Sequence, residues 1–179
     1  LVTILRPSIV YSVDDNFTTN FMTLLNNLPF FPLYYGGNTK FSPIHCSDLT
    51  DTIYNVISNN IYSKIIECVG PETFTFKEII IKLLNLIEKK RILLPMPTTL
   101  AKISARIFEI MPNPLLTRDQ LKLLKYDNIP SGKYKTNSDL GCPSLRFFDE
   151  EVKKYCYMWK EGGQYSTEKY SFNDDLKNK

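Results

Sequence analysis

Leu1-Val2-Thr3-Ile4-Leu5-Arg6-Pro7-Ser8-Ile9-Val10-Tyr11 is the stretch on which the fold turns. Its first five residues are apolar or β-branched and read as a buried strand. Proline offers no amide hydrogen to a sheet ladder and fixes its own φ. The strand, Leu1 to Leu5, is therefore expected to leave a central sheet at Arg6-Pro7. Ile9-Val10-Tyr11 resumes the apolar run. The chain opens on Leu rather than Met, without a charged leader or a small-residue cleavage motif. It reads as part of a longer, truncated or split polypeptide and not as one led by a signal peptide.

Working outward, Asp14-Asp15-Asn16 supplies turn chemistry and an N-cap for a helix carrying Phe17, Phe21, Leu24, Leu25 and Leu28, stopped by Pro29 and Pro32. Tyr34 to Asn38 reads as a turn, and Phe41 to His45 as an extended piece interrupted by Pro43. Ser47-Asp48 opens a helix with Leu49, Ile53, Val56 and Ile57 on one stripe, ended by Asn59-Asn60. Lys64 to Val69 is a strand closed by Gly70-Pro71. Thr75-x-x-Glu78 is a capping box before Ile79, Ile80, Leu83 and Leu84. Arg91 to Leu94 is a short strand. Helices follow over Thr99–Met111, Thr117–Lys125 and Asp149–Trp159, with a turn over Thr136–Leu140 and a polar tail from Gly162. The order is α/β grading into a mainly helical lobe. No Gly-x-Gly-x-x-Gly or Gly-x-x-Gly-x-x-Gly occurs, so the phosphate cradle of a dinucleotide fold is missing from these residues.

The 179 residues are 43% hydrophobic, 23% charged and 13% aromatic, which excludes a disordered or collagenous chain. No apolar run approaches the roughly 18 residues of a membrane span. The net charge of +3 is spread along the chain without a basic stripe, so nucleic acid is not an expected partner. Cys46, Cys68, Cys142 and Cys156 are far apart and His45 is the sole histidine. Neither a zinc site nor a disulfide framework is expected; reduced thiols in a cytoplasmic or matrix-like compartment are.

Thr3-Ile4-Leu5-Arg6-Pro7-Ser8-Ile9-Val10-Tyr11 resembles the LRPxxVYG segment of the extended short-chain dehydrogenases, the NAD-dependent epimerase/dehydratase family. Phe41-Ser42-Pro43-Ile44-His45-Cys46-Ser47-Asp48-Leu49 is similar to a later segment of that family. Gly70 to Glu78, the block Leu116-Thr117-Arg118-Asp119-Gln120 running on to Asp127-Asn128, and Gly162-Gly163-Gln164 follow in the family's order. The set resembles an atypical branch, the NAD(P)H-binding accessory subunit of respiratory complex I and its bacterial relatives. The resemblance implies the last strands of a Rossmann-like doubly wound sheet plus a mainly helical C-terminal lobe, an incomplete dinucleotide fold. Residues 1–70 would close the NAD(P)-binding domain with lobe segments inserted, 71–161 would form the lobe, and 162–179 a polar tail. NAD(P)H is then the cofactor of the intact protein, with none expected to bind this chain alone. Expected partners are complex I subunits or the missing N-terminal half. The location would be cytoplasmic in a bacterium, possible at the inner membrane's surface, and the mitochondrial matrix in a eukaryote.

The family's catalytic Tyr-x-x-x-Lys pair lies upstream of the Arg-Pro strand. In this chain Asp15 stands where Tyr11 would need a lysine, and Ser58 where Tyr54 would. Tyr165-x-x-x-Lys169 fits but sits in the polar tail. The chain is thus expected not to be an enzyme by itself. The alternatives are the C-terminal part of a catalytic oxidoreductase or epimerase/dehydratase, and a remnant of a split gene. By the resemblance, Pro7, Ser8 and Ile9 are the candidate cofactor contacts, offering backbone groups to the nicotinamide carboxamide. Ser12-Val13 replaces the family's usual Gly-Pro there. His45 is a candidate for the substrate cleft, against a structural histidine bonded to nearby backbone; Asp48 reads as a helix N-cap. Phe41-Ser42-Pro43 stands where members acting on nucleotide sugars carry Arg-Asp-Tyr, and the missing cation argues against a sugar diphosphate. Leu100, Ile103, Ile107 and Ile110 form a stripe on the 99–111 helix, either core or a docking face for a partner subunit or a membrane surface.

Overall fold

The computed structural model of the chain describes residues 2–96 and 122–166. The helix expected over Thr99–Met111, most of that over Thr117–Lys125, and Lys169 lie outside the described residues.

The opening run forms β1 (Ile4–Pro7), which pairs in parallel with β6 (Ile65–Cys68). On the far side of β6 lies β9 (Lys135–Thr136), also parallel, so the sheet order is β1-β6-β9. The strand starts later than the apolar run suggests and carries on through Pro7. The hydrogen bonds explain why. The amides of Ile4 and Ser8 donate to the Lys64 and Cys68 carbonyls. With the two-residue period of a strand, even-numbered residues face β6, and Thr3, Leu5 and Pro7 turn their backbone groups to the opposite edge. Proline's missing amide therefore costs no ladder bond, and among the described residues that edge carries no strand. Val2 and Ile4 stand 74% and 47% exposed beside it.

Three further strand pairs lie beyond this sheet. β2 (Val10–Tyr11) runs parallel to β5 (Ile44–His45). β3 (Phe30–Tyr34) runs parallel to β8 (Ile92–Met96). β4 (Lys40–Phe41) runs antiparallel to β7 (Phe74–Thr75). Sequence reasoning reads Pro32 only as a stop, yet it lies inside β3. The Ile92 amide donates to the Pro29 carbonyl, which sets the ladder phase so that Pro32, like Pro95 on β8, faces away from the partner strand. Pro43 does break the extended piece, separating β4 from β5.

The helices are α1 (Thr18–Asn27), α2 (Cys46–Ser58), α3 (Phe76–Leu86) and α4 (Phe148–Lys153). The capping box before α3 is complete. Thr75 accepts from the Glu78 amide, and Glu78 accepts from the Thr75 amide at 2.7 Å. α1 is capped by Asp15, whose carboxylate accepts from the Phe17 and Thr18 amides. At its other end Arg91 donates to the Leu25 and Asn26 carbonyls at 2.8 and 3.0 Å, a cation placed on the negative end of the helix. The expected helix Asp149–Trp159 is shorter: α4 ends at Lys153, and a 3-10 turn over Cys156–Trp159 completes the run.

The larger core joins α1, β3, α3 and α4, with Phe21, Phe31, Phe76 and Phe148 at its centre. Phe21 meets Phe31 and Phe76 edge-on at 5.8 and 5.3 Å between ring centroids. A smaller core, Ile44, Val56, Ile66 and Cys68, seals α2 against the β1-β6-β9 sheet. All four cysteines are free; Cys68 and Cys156 are buried. The polar stretch after Gly162 begins packed rather than loose. Tyr165 lies over Trp159 at 4.9 Å, and its amide donates to the Met158 carbonyl.

Candidate functional site

Every candidate contact lies where the chain leaves β1. Ser8 is buried, and its amide and hydroxyl are both engaged. Its amide donates to the Cys68 carbonyl, its hydroxyl donates to the Asn128 carbonyl at 2.8 Å, and the same oxygen accepts from the Ser42 amide at 3.2 Å. The Ser8 side chain thus ties three segments together, which rules it out as a group free to bind a ligand. The Ile9 carbonyl accepts from the Ile44 amide at 2.8 Å, while the Ile9 amide has no hydrogen-bond partner among the described residues. The Pro7 carbonyl faces the open edge with Leu5. Of the three residues singled out by sequence, three backbone groups have no partner among the described residues: the carbonyls of Pro7 and Ser8 and the amide of Ile9.

Asn128 is a junction that sequence reasoning passes over. Its carbonyl accepts from both Ser8 and Ser42, and its amide donates to the Lys40 carbonyl at 2.8 Å. Phe41, at the place of the family's cation, is buried, and Ser42 beside it is buried and bonded to Thr73 through its hydroxyl at 2.8 Å. No charge replaces the missing arginine at that position.

His45 is the N-cap of α2, one position class earlier than the Ser47-Asp48 start expected from sequence. Its Nδ1 accepts from the Ser47 amide at 3.3 Å. That nitrogen is therefore unprotonated, and in the neutral ring the proton sits on Nε2, 3.9 Å from the Glu151 carboxylate. Tyr11 packs edge-on against the imidazole at 5.3 Å. This is the arrangement of a structural histidine bonded to nearby backbone. Asp48, buried in the first turn of α2, is not the cap; its carboxylate receives the Arg146 amide at 3.2 Å and the Arg146 guanidinium. The Asp48–Arg146 pair spans 98 positions and carries no sequence signal.

Burial holds the His45 pKa below its ordinary value, with Arg146 acting in the same direction and Glu151 opposing. The unfolded chain then binds a proton on His45 more readily than the folded one. The stability linked to this group is whole above the ordinary histidine pKa of about 6.5 and is lost as pH falls through the folded value. We expect the urea midpoint to hold between about pH 7 and 8 and to drop below about pH 6.5. Asparagine at the same N-cap, His45→Asn, should flatten that drop; an unchanged slope would contradict it.

The three tyrosines weighed against the family's pair are placed as follows. The Tyr11 hydroxyl is buried and donates to the Arg146 carbonyl at 3.3 Å, and burial pushes its pKa far up, so it is held as a neutral phenol. Asp15, four residues on, caps α1. Tyr54 is exposed on α2. Tyr165 packs on Trp159 and offers its carbonyl to Asn26. Among the described residues no cluster of His, Cys, Asp and Glu could hold a metal ion, and no helix is long and apolar enough to cross a membrane.

The parallel sheet with helices packed on it is a Rossmann-like α/β arrangement. Solved structures bear the fold out. The UDP-glucose 4-epimerase of Thermus thermophilus, in complex with NAD, superposes with a TM-score of 0.55 at 14% identity over 88% of this chain and 46% of its own. The dTDP-glucose 4,6-dehydratase of Bacillus anthracis, in complex with NAD, gives 0.58 at 14% over 91% and 45%. The architecture is α/β and Rossmann-like, and it corresponds to less than half of those enzymes. In sequence, the chain is similar to NADH dehydrogenase (ubiquinone) 1 alpha subcomplex subunit 9, mitochondrial. It is 28% identical to that subunit from Dictyostelium discoideum over 164 residues, covering 89% of this chain and 46% of the relative. It is 27% identical to the Arabidopsis thaliana subunit over 172 residues, covering 90% and 42%. The chain therefore spans a little under half the length of the curated relatives it matches. No protein family profile matches it. The resemblance to the complex I accessory branch is thus carried by similarity over about nine-tenths of this chain as well as by the ordered motifs.

Proposed function

We propose that this chain acts as the C-terminal half of a non-catalytic NAD(P)H-binding accessory module, an assembly element of respiratory complex I. The observation that carries the reading is the open parallel edge of β1, on a chain whose similarity to the complex I subunit runs through nine-tenths of its length. In this reading residues 1–70 close the sheet of a dinucleotide domain and residues 71–161 form the lobe over it. A further parallel strand would pair with the free amide and carbonyl of Leu5.

The residues present fit one end of the cofactor. A nicotinamide carboxamide has one donor and one acceptor; the Pro7 carbonyl can accept from its NH2, and the Ile9 amide can donate to its oxygen. Ser8 takes no part beyond holding the loop. The pyrophosphate needs glycine-rich backbone at a helix N-terminus, which these residues do not supply. If bound, the cofactor would here be a structural element: Tyr11 is held as a neutral phenol with Asp15 rather than a lysine four residues on. The named relatives are mitochondrial; in a eukaryotic source this protein would, on this reading, work in the mitochondrial matrix.

The test is assembly. The protein, tagged at its C-terminus and expressed in its native cells, should migrate on a native gel with the band that carries NADH dehydrogenase activity. Migration only as a small species apart from that band would overturn the assignment to complex I.

A further inference from the structure

Beside the β1 exit, on the side facing the lobe, lies a cavity of about 300 Å3 walled by Ile9, Phe17, Phe21, Phe41 and Leu124. It is about twice the size of the ~150 Å3 apolar cavity that accepts a benzene ring, and at the small end of the range for ligand sites. Leu123 and Tyr126, both largely exposed, also line it and make its approach apolar.

Its polar wall is largely committed. The Asp127 carboxylate accepts from the Lys40 amide at 2.8 Å. The Asn128 amide and carbonyl are taken by Lys40, Ser8 and Ser42. Among the described residues, what is left to a ligand is the amide side chains of Asn16 and Asn128. No lysine or arginine is among the described residues lining it. The cation at hand, Lys125, stands over the outer ring of Tyr126 at 5.5 Å. A diphosphate would place its charge beside the Asp127 carboxylate, with no donor aimed at it.

We propose that this cavity is a binding site for a neutral, mainly apolar molecule of about two fused rings or an equivalent short hydrocarbon chain, carrying one or two hydrogen-bonding groups. Aromatic walls favour a flat or flexible apolar body, and the Asn16 and Asn128 amides satisfy a single polar group on it. The site is independent of the cofactor reading: it uses the Ile9 side chain, whereas the nicotinamide would use the Ile9 backbone.

The probe is N-phenyl-1-naphthylamine, a neutral fluorophore that brightens in apolar surroundings. Titrated into the 179-residue chain, it should bind saturably at one site with a dissociation constant of about 10 μM or tighter. Leu124→Trp, which fills the cavity, should weaken it at least tenfold, with far-ultraviolet circular dichroism checking that the fold persists. If that variant unfolds, a second comparison decides on the same readout. Ile57→Asp on the exposed face of α2, away from the cavity, should leave binding unchanged. Binding lost on Ile57→Asp would put the dye on that face and overturn the proposal. So would a linear, unsaturable signal, or displacement of the dye by UDP-glucose, which would return the cavity to nucleotide sugars.

Discussion

Replacing Gly70 by alanine is expected to destabilise the chain by about 3 kcal/mol, the upper end of what overpacking costs. A Cβ built on Gly70 would lie 1.7 Å from the Pro43 carbonyl oxygen and 2.7 Å from its carbon. Both are backbone atoms, so no rotamer change relieves the clash. The close approach is needed because the Gly70 amide donates to the Ser42 carbonyl at 3.1 Å, drawing the exit of β6 against the turn between β4 and β5. Moving that turn would also pull Ser42 from Ser8 and Asn128. Gly132→Ala is the control: its φ of +72° makes alanine strained, but nothing lies within 4 Å of the added carbon. It should cost only about 1 kcal/mol. Urea denaturation of the two variants beside the parent chain separates them. A Gly70→Ala loss no larger than that of Gly132→Ala would show that the two segments are not so closely joined.

The parts legible from sequence were the local ones. Thr75-x-x-Glu78 and Asp15 act within three residues of themselves, and the caps form as read. The opening apolar run marked a sheet, because β-branched residues packed at a two-residue period have few other uses. Proline misled twice, at Pro7 and Pro32. Whether a proline ends a strand depends on which way its nitrogen faces, and that phase is set by the partner strand. β7 and β9 are two residues long and owe their extension to neighbours at β4 and β6, so no periodicity announces them. At the candidate site, resemblance singled out Pro7, Ser8 and Ile9, but nothing in the sequence announced the bonds that hold the Ser8 hydroxyl. Its partners Ser42 and Asn128 lie 34 and 120 positions away. His45 was legible as a structural residue, but its capping of α2 was not, since histidine is not among the favoured N-caps.

Removing the cofactor's phosphate cradle should have the largest effect on binding, and it is the basis of the account's central claim, that this chain holds only one end of a dinucleotide site. Backbone amides at a glycine-rich turn and helix N-terminus carry most of the affinity for a pyrophosphate. On the proposed reading, backbone groups at Pro7 and Ile9 would orient a carboxamide but would not replace them. The decisive measurement is a calorimetric titration of NADPH into the 179-residue chain and into the same chain fused behind the part of the Dictyostelium discoideum relative that it does not match. The account predicts no saturable binding to the chain alone, and binding to the folded fusion with a dissociation constant of about 10 μM or tighter, roughly −7 kcal/mol. A dissociation constant under about 10 μM for the chain by itself, or a folded fusion that fails to bind, would contradict it.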